Sequence, residues 1–159
     1  MSDRYQKVVQ AVKRISESKA QGQTGPSAET QTTPSSAILP KNSILASYHW
    51  PGKFSPFAHQ KQTADFLTRH RKAFCFNEQG TGKTASVIWA TDYLMNLGVI
   101  RRVLVICPLS IMKSAWQADL FKFAIHRTCD VAYGIASQRK KIIANGAEYV
   151  IINFDGVDI

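Results

Sequence analysis

The sequence predicts an α/β fold, a parallel sheet flanked by helices, on three observations. Short, solid apolar runs recur at Ala73–Phe76, Val103–Cys107, Cys129–Tyr133 and Tyr149–Asn153. Stretches with apolar residues at helical spacing separate them. The first run opens into a glycine loop, Asn77–Glu78–Gln79–Gly80–Thr81–Gly82–Lys83–Thr84, and a helical pattern follows to about Leu97. Strands apolar on both faces belong to sheets covered by helices, and their alternation with helices implies right-handed βαβ connections. Ligands of such sheets sit beyond the carboxyl ends of the strands. Asn77–Thr84, Pro108–Ser110 and Asn153–Asp155 are therefore expected along one edge.

Composition narrows the class. In 159 residues there is room for one domain and a tail. Lys and Arg outnumber Asp and Glu by 20 to 11, giving a net charge of +9. That balance favours a polyanionic partner, nucleic acid first, although a ribosomal or membrane-surface protein shares it. Cys75, Cys107 and Cys129 form no C-x-x-C pair, and each lies in or beside an apolar run. They read as small core residues of a reducing compartment. His49, His59, His70 and His126 are too scattered to argue a metal site. The first residues lack the apolar core of a signal peptide and no run approaches membrane-spanning length. The expectation is a cytoplasmic chain, nuclear if eukaryotic, with no membrane partner.

The elements follow in order. Between Arg4 and Lys19, Val8, Val9, Val12 and Ile15 recur at helical spacing among basic residues, so residues 1–19 read as a short basic amphipathic helix, marginal in isolation. Residues 20–37 are Gln, Thr, Ser, Gly and Pro with little to bury, and read as a disordered linker. The folded part is expected over 38–159. Ser55–Pro56 is a helix start, with Ser as cap and Pro in the first turn, and the helix runs to about Arg69. Phe57, Ala64 and Leu67 share a face with Gln60. A glutamine on an apolar stripe needs a partner for its amide. Local backbone is one candidate and an adenine edge, reached through both amide atoms, is another. Arg69–His70–Arg71–Lys72 reads as a solvated basic turn.

The loop carries the chemistry. Glycines allow backbone conformations that side chains resist and a close approach to phosphate. Loop N–H groups and the following helix N-terminus add partial positive charge. Lys83 is placed to reach β- and γ-phosphates, and the Thr84 hydroxyl to hold Mg²⁺. Asn77 stands where the usual P-loop pattern has its first glycine, and the plainer alternative is a glycine turn before an ordinary helix. Beyond it, Val103–Cys107 reads as a strand buried on both faces and ends at Pro108. A helix capped by Ser110 follows, with Met112, Trp116, Leu120 and Phe123 as its core face. Cys129–Tyr133 is the next strand, Ser137 to about Asn145 a helix, and Tyr149–Asn153 the last strand.

Taken together, these motifs resemble the first RecA-like domain of superfamily 2 helicases, most closely the Swi/Snf-type DNA-dependent ATPases. The resemblance covers roughly Pro51 to Asp155 and rests on four stretches. Phe57–Ala58–His59–Gln60 matches an entry motif of an aromatic followed by His-Gln. Asn77–Thr84 matches a loop that in the family reads Asp-Glu-Met-Gly-Leu-Gly-Lys-Thr. Val103–Leu109 with Trp116, and Tyr149–Asn153, match the next two motifs.

The resemblance implies ATP and Mg²⁺ as cofactors. Phe57, Gln60, Glu78, Gln79, Gly80, Thr81, Gly82, Lys83 and Thr84 would contact nucleotide, Lys83 and Thr84 as the catalytic pair and Thr84 as the metal ligand. Pro108, Leu109, Ser110 and Asn153 would follow a nucleic-acid backbone, double-stranded DNA by family. It implies an ATP-dependent helicase or translocase that also uses a second RecA-like domain. The family's next strand, ending in Asp-Glu, has no counterpart before Ile159. The chain thus reads as an N-terminal portion that binds nucleotide and hydrolyses it poorly alone. The alternatives are a different P-loop enzyme, such as a small-molecule kinase, and a non-catalytic nucleotide- or DNA-binding module.

Overall fold

The computed structural model describes residues 40–157. The expectations for residues 1–19 and 20–37 lie outside them. Three strands, β1 (Val103–Cys107), β2 (Cys129–Ala132) and β3 (Tyr149–Asn153), form one parallel sheet in the order β1-β3-β2. The register pairs Cys107 with Asn153 and Ala132 with Ile152, so the carboxyl ends of all three strands stand nearly level.

Side chains alternate across the sheet, and each face has its own cover. On one face Val105, Cys107, Tyr149 and Ile151 pack with Ile88, Met112, Leu120 and Ala124. On the other, Ala132, Val150 and Ile152 pack with Val157, Ile142 and Ile143. The first cover comes from α3 (Lys83–Asn96) and α4 (Ala118–Phe123), the second from α5 (Ala136–Ala144). Tyr149 and Ile151 are fully buried, and side chains of this size contribute about 1.5–3 kcal/mol each on burial. β3 is the central strand and is buried at four of its five positions.

A second core lies beneath α3. Ile44 from α1 (Ile44–Ser47), Ala64 from α2 (Ala58–Arg69), and Ala85, Trp89, Ala90 and Tyr93 from α3 pack together with Tyr48. Trp89 stands at the centre, edge-on to Trp50 and Phe123, and its indole N–H donates to the Pro51 carbonyl at 3.2 Å. α3 therefore touches both cores. It joins the glycine loop at its N-terminus to the sheet.

Several expected elements differ in detail. Ala73–Phe76 belongs to no strand. Phe74 and Phe76 are 77% and 87% exposed and their rings stack at 5.7 Å. What the segment lacks, among the described residues, is a neighbouring strand to pair with. β1 is not buried on both faces: it is an edge strand, and Leu104 is 42% exposed. α2 starts at Ala58 rather than Pro56, because the Gln60 side chain accepts from the Phe57 N–H and closes the first turn there. Phe57 consequently points to solvent instead of joining Ala64 in the core. Ser110 caps no helix. A 3₁₀ turn at Leu109–Ile111 runs into a π-helical turn at Met112–Gln117 before α4 begins. Met112 and Leu120 are buried as expected, with Trp116 and Phe123 packed against them. Of the cysteines only Cys107 is fully buried; Cys75 and Cys129 are half-buried.

No helix among the described residues is long and apolar enough to cross a membrane. No group of three or more His, Cys, Asp or Glu among them could hold a metal ion.

Candidate nucleotide and nucleic-acid site

The glycine loop is held from three sides by short polar contacts. Gly80 and Gly82 take positive φ values of 81° and 79°, a left-handed conformation open to glycine at little cost. At Gly82 there is a second constraint, because a Cβ there would collide with the Gln60 side-chain nitrogen. Gly80 has open space in the same position. Within the loop, the Thr81 hydroxyl donates to the Glu78 carbonyl at 2.8 Å. The Lys83 ammonium folds back over it, donating to the carbonyls of Asn77 and Glu78 at 2.7 Å each.

α2 supplies the remaining supports. The Gln60 amide nitrogen donates to the Thr81 carbonyl at 3.2 Å, while its oxygen accepts from Phe57 N–H at 3.0 Å. His59 Nε2 lies 3.1 Å from the same Thr81 carbonyl. Asn77 Nδ2 donates to the Thr63 hydroxyl at 2.9 Å. Gln60 thus finds its partners in local backbone, and one amide hydrogen and one oxygen lone pair remain available. Phe57 stacks on His59 with ring centroids 5.7 Å apart. Beside them Phe54, Ser55, Phe57, Gln60, Trp89 and Phe123 line an apolar cavity of about 270 Å³. His59 lies in the entry motif but has no role assigned by the sequence, and Thr63 and Phe54 carry no motif; their place beside Gln60 is the sign that could have found them.

The residues present fit a nucleoside triphosphate. The loop ends in a 14-residue helix with no acidic residue in its first turn, and such an N-terminus favours phosphate. Lys83 is held by neutral carbonyls only, and a phosphate would compete with these for its three donors. The Thr84 hydroxyl, half-buried in the first turn, has no hydrogen-bond partner among the described residues and could serve a Mg²⁺ ion. Glu78 and Gln79 are exposed, and their side chains make no hydrogen bond to these groups among the described residues.

The carboxyl edge of the sheet forms a separate surface. Pro108, Leu109 and Ser110 follow β1, and Asn153 ends β3 directly beside Cys107. All but the half-buried Asn153 are exposed. The strand register brings these four together at the ends of β1 and β3.

A polar cluster that sequence reading missed lies at the other end of α3. Asp92 is 1% exposed and accepts from Tyr48 Oη at 2.5 Å, His126 Nε2 at 2.8 Å and Arg127 Nε at 2.5 Å. Arg127 also bonds Glu148 at 2.6 Å and the Asn96 side chain. Glu148 in turn accepts from the Thr128 N–H at 2.9 Å. Burial alone would raise the Asp92 pKa, but the bonds from Tyr48, Arg127 and His126 outweigh it and hold the carboxyl below its ordinary range. Glu148 is likewise lowered, against burial, by Thr128 and Arg127. Desolvation and the Asp92 contact push the Tyr48 phenol up. The cluster ties α3 to the segments that lead into β2 and β3.

No protein-family model matches the chain, and no curated protein matches it. Among solved structures, it is similar to the SWI2/SNF2 ATPase core of Sulfolobus solfataricus in complex with dsDNA, with a TM-score of 0.57 and 25% sequence identity. The likeness covers 65% of this chain and 22% of that one. A three-stranded parallel sheet flanked by helices, entered through a glycine loop, is therefore similar to part of an ATPase core of the SWI2/SNF2 kind.

Proposed function

We propose that this chain is the nucleotide-binding part of an ATP-dependent DNA translocase of the SWI2/SNF2 kind. The observation that carries the reading is the glycine loop fastened to Gln60 on one side and capped by Lys83 on the other. Lys83 binds the β- and γ-phosphates, and the N–H groups of Gly80 to Thr84 surround them. The Thr84 hydroxyl would hold Mg²⁺, which would supply neutralisation of the phosphate charge. Gln60 turns its free amide hydrogen and lone pair to the adenine edge, next to the exposed ring of Phe57. The carboxyl-edge residues Pro108, Leu109, Ser110 and Asn153 follow a DNA backbone. The net charge of +9 and the DNA-bound state of the solved neighbour both support DNA as the partner.

Turnover needs further groups. Phosphoryl transfer requires acids that position metal and water, and charge-stabilising donors, all in place together. Among the described residues no Asp or Glu side chain bonds Lys83, Thr84 or the glycines. The role assigned to this chain is nucleotide capture, with hydrolysis belonging to the assembled two-domain motor.

Titration with a fluorescent ATP analogue in Mg²⁺ buffer tests this. ATP should compete better than GTP, and Gln60→Ala should erase that preference. Lys83→Ala should weaken binding by about 10- to 100-fold, the worth of a charge-assisted contact to phosphate. Equal binding by Lys83→Ala and the parent chain would overturn the assignment of the loop.

A further inference from the structure

The incoming limb of the glycine loop is fastened to α2 by a short relay of hydrogen bonds. Asn77 Nδ2 donates to the Thr63 hydroxyl at 2.9 Å, and that hydroxyl donates to the His59 carbonyl at 2.8 Å, one helical turn back. Asn77 is also one of the two residues whose carbonyls hold the Lys83 ammonium. We infer that Thr63 and Asn77 are positioning residues for Lys83, keeping its ammonium set for the β- and γ-phosphates of the nucleotide. The inference rests on the proposed function and deepens it, since neither residue is among the nucleotide contacts given above.

Donor count fixes the direction of the relay. A threonine hydroxyl has one hydrogen, and Thr63 spends it on the His59 carbonyl. Its oxygen can then only accept, so the side chain at position 77 must donate. The amide of Asn77 does so, whereas an ionised carboxylate has no hydrogen to give. An aspartate at position 77 could not complete the relay in this direction.

The limb needs such a fastening. Ala73–Phe76 leads into Asn77 and has no neighbouring strand among the described residues, so no ladder fixes where the loop begins. On the far limb, the Thr81 carbonyl accepts from the Gln60 amide and lies beside His59 Nε2. His59, Gln60 and Thr63 stand three and four residues apart, on one side of α2, and between them they hold both limbs. Lys83 has three ammonium hydrogens and gives two of them to the Asn77 and Glu78 carbonyls at 2.7 Å each. With Asn77 pinned through Thr63, the ammonium is ordered before a phosphate arrives, and binding carries less of the cost of ordering it.

The test is competition against a fluorescent ATP analogue in Mg²⁺ buffer, run on the whole chain with ATP and with AMP. Thr63→Val keeps the shape of the side chain and removes its hydroxyl. It should weaken ATP by about 3- to 10-fold, as the loss of one hydrogen bond does. AMP, which has no β- or γ-phosphate, should bind as it does to the parent. Thr63→Ser should restore ATP affinity, and Asn77→Ala, at an exposed position, should repeat the loss even if Thr63→Val is less stable. In a Lys83→Ala background, Thr63→Val should weaken ATP no further. Equal losses for ATP and AMP overturn the inference, and so do additive losses in the double variant. Parent-like ATP binding by Thr63→Val and Asn77→Ala, with Lys83→Ala weakened, overturns it and leaves the proposed function standing. Parent-like binding by Lys83→Ala overturns the proposed function, and this inference with it.

Discussion

Helix α3 carries two polar clusters about two and a half turns apart, and they are built on opposite principles. At its N-terminus the Lys83 ammonium is held by two backbone carbonyls, both on exposed residues. In its C-terminal half the Asp92 carboxylate is held by three side-chain donors and is sealed from water. Bonds to neutral carbonyls in reach of solvent are exchanged for ligand bonds at small cost. A buried carboxylate with matched donors has no such freedom, since removing one partner leaves charge without compensation. One cluster is arranged to be rearranged; the other keeps the helix that presents it in place.

The largest effect expected from this contrast is at Arg127. Its guanidinium is 12% exposed and bridges Asp92 on α3 to Glu148 before β3. Arg127→Ala leaves Asp92 buried beside fewer donors, and breaking such a pair costs about 3–5 kcal/mol. Chemical denaturation should show that loss as a lower midpoint with unchanged slope. A loss under about 1 kcal/mol would mean that water replaces the guanidinium, and that the cluster is less closed than the Asp92 burial implies.

Acid should expose the same cluster. The folded-state pKa values of Asp92 and Glu148 are depressed, against ordinary values of about 3.9 and 4.3. Their contribution to stability is therefore complete above about pH 4.3 and is lost as pH falls through the depressed values. Melting temperature should hold steady from neutral pH to about 4.5 and then drop. Asp92→Asn should start lower but show a shallower drop, by up to about 1.4 kcal/mol per pH unit. Parallel acid profiles for the two proteins would assign the drop to other carboxylates.

How much of this was legible in the sequence depends on how far away each partner lies. β1 and β3 were readable residue for residue, because each is a short, largely β-branched run bounded by clear breaks: Arg101–Arg102 and Pro108 around β1, Gly146 before β3. Ala73–Phe76 has the same kind of pattern and is no strand. A ladder is a property of two segments, and an apolar run in one cannot supply the other. The turn of the glycine loop was legible because it is local: Gly80 and Gly82 take positive φ just ahead of the helix that starts at Lys83. Gln60 announced a need for partners without naming them, and they proved to be the backbone of Phe57 and Thr81. Asp92 gave a fainter signal, a lone acid amid Ile88, Trp89, Ala90, Tyr93 and Leu94. Its donors stand 34 to 44 residues away in sequence, so no spacing rule could find them.

The smallest expected effect separates the two glycines of the loop. Both adopt nearly the same positive φ, so alanine at either carries the same backbone cost, about 1–2 kcal/mol. Only at Gly82 would the new methyl meet Gln60 and push its amide off the Thr81 carbonyl. Gly82→Ala should therefore destabilise the chain more than Gly80→Ala, by about 0.5–1.5 kcal/mol, the net worth of one hydrogen bond. In a Gln60→Ala background that difference should vanish, since the obstructing amide is gone. A double-mutant cycle on thermal unfolding measures it directly. If the difference survives the loss of Gln60, the strain at Gly82 comes from the α3 N-terminus itself. The tie between Gln60 and the glycine loop would then be a contact of geometry without energetic weight.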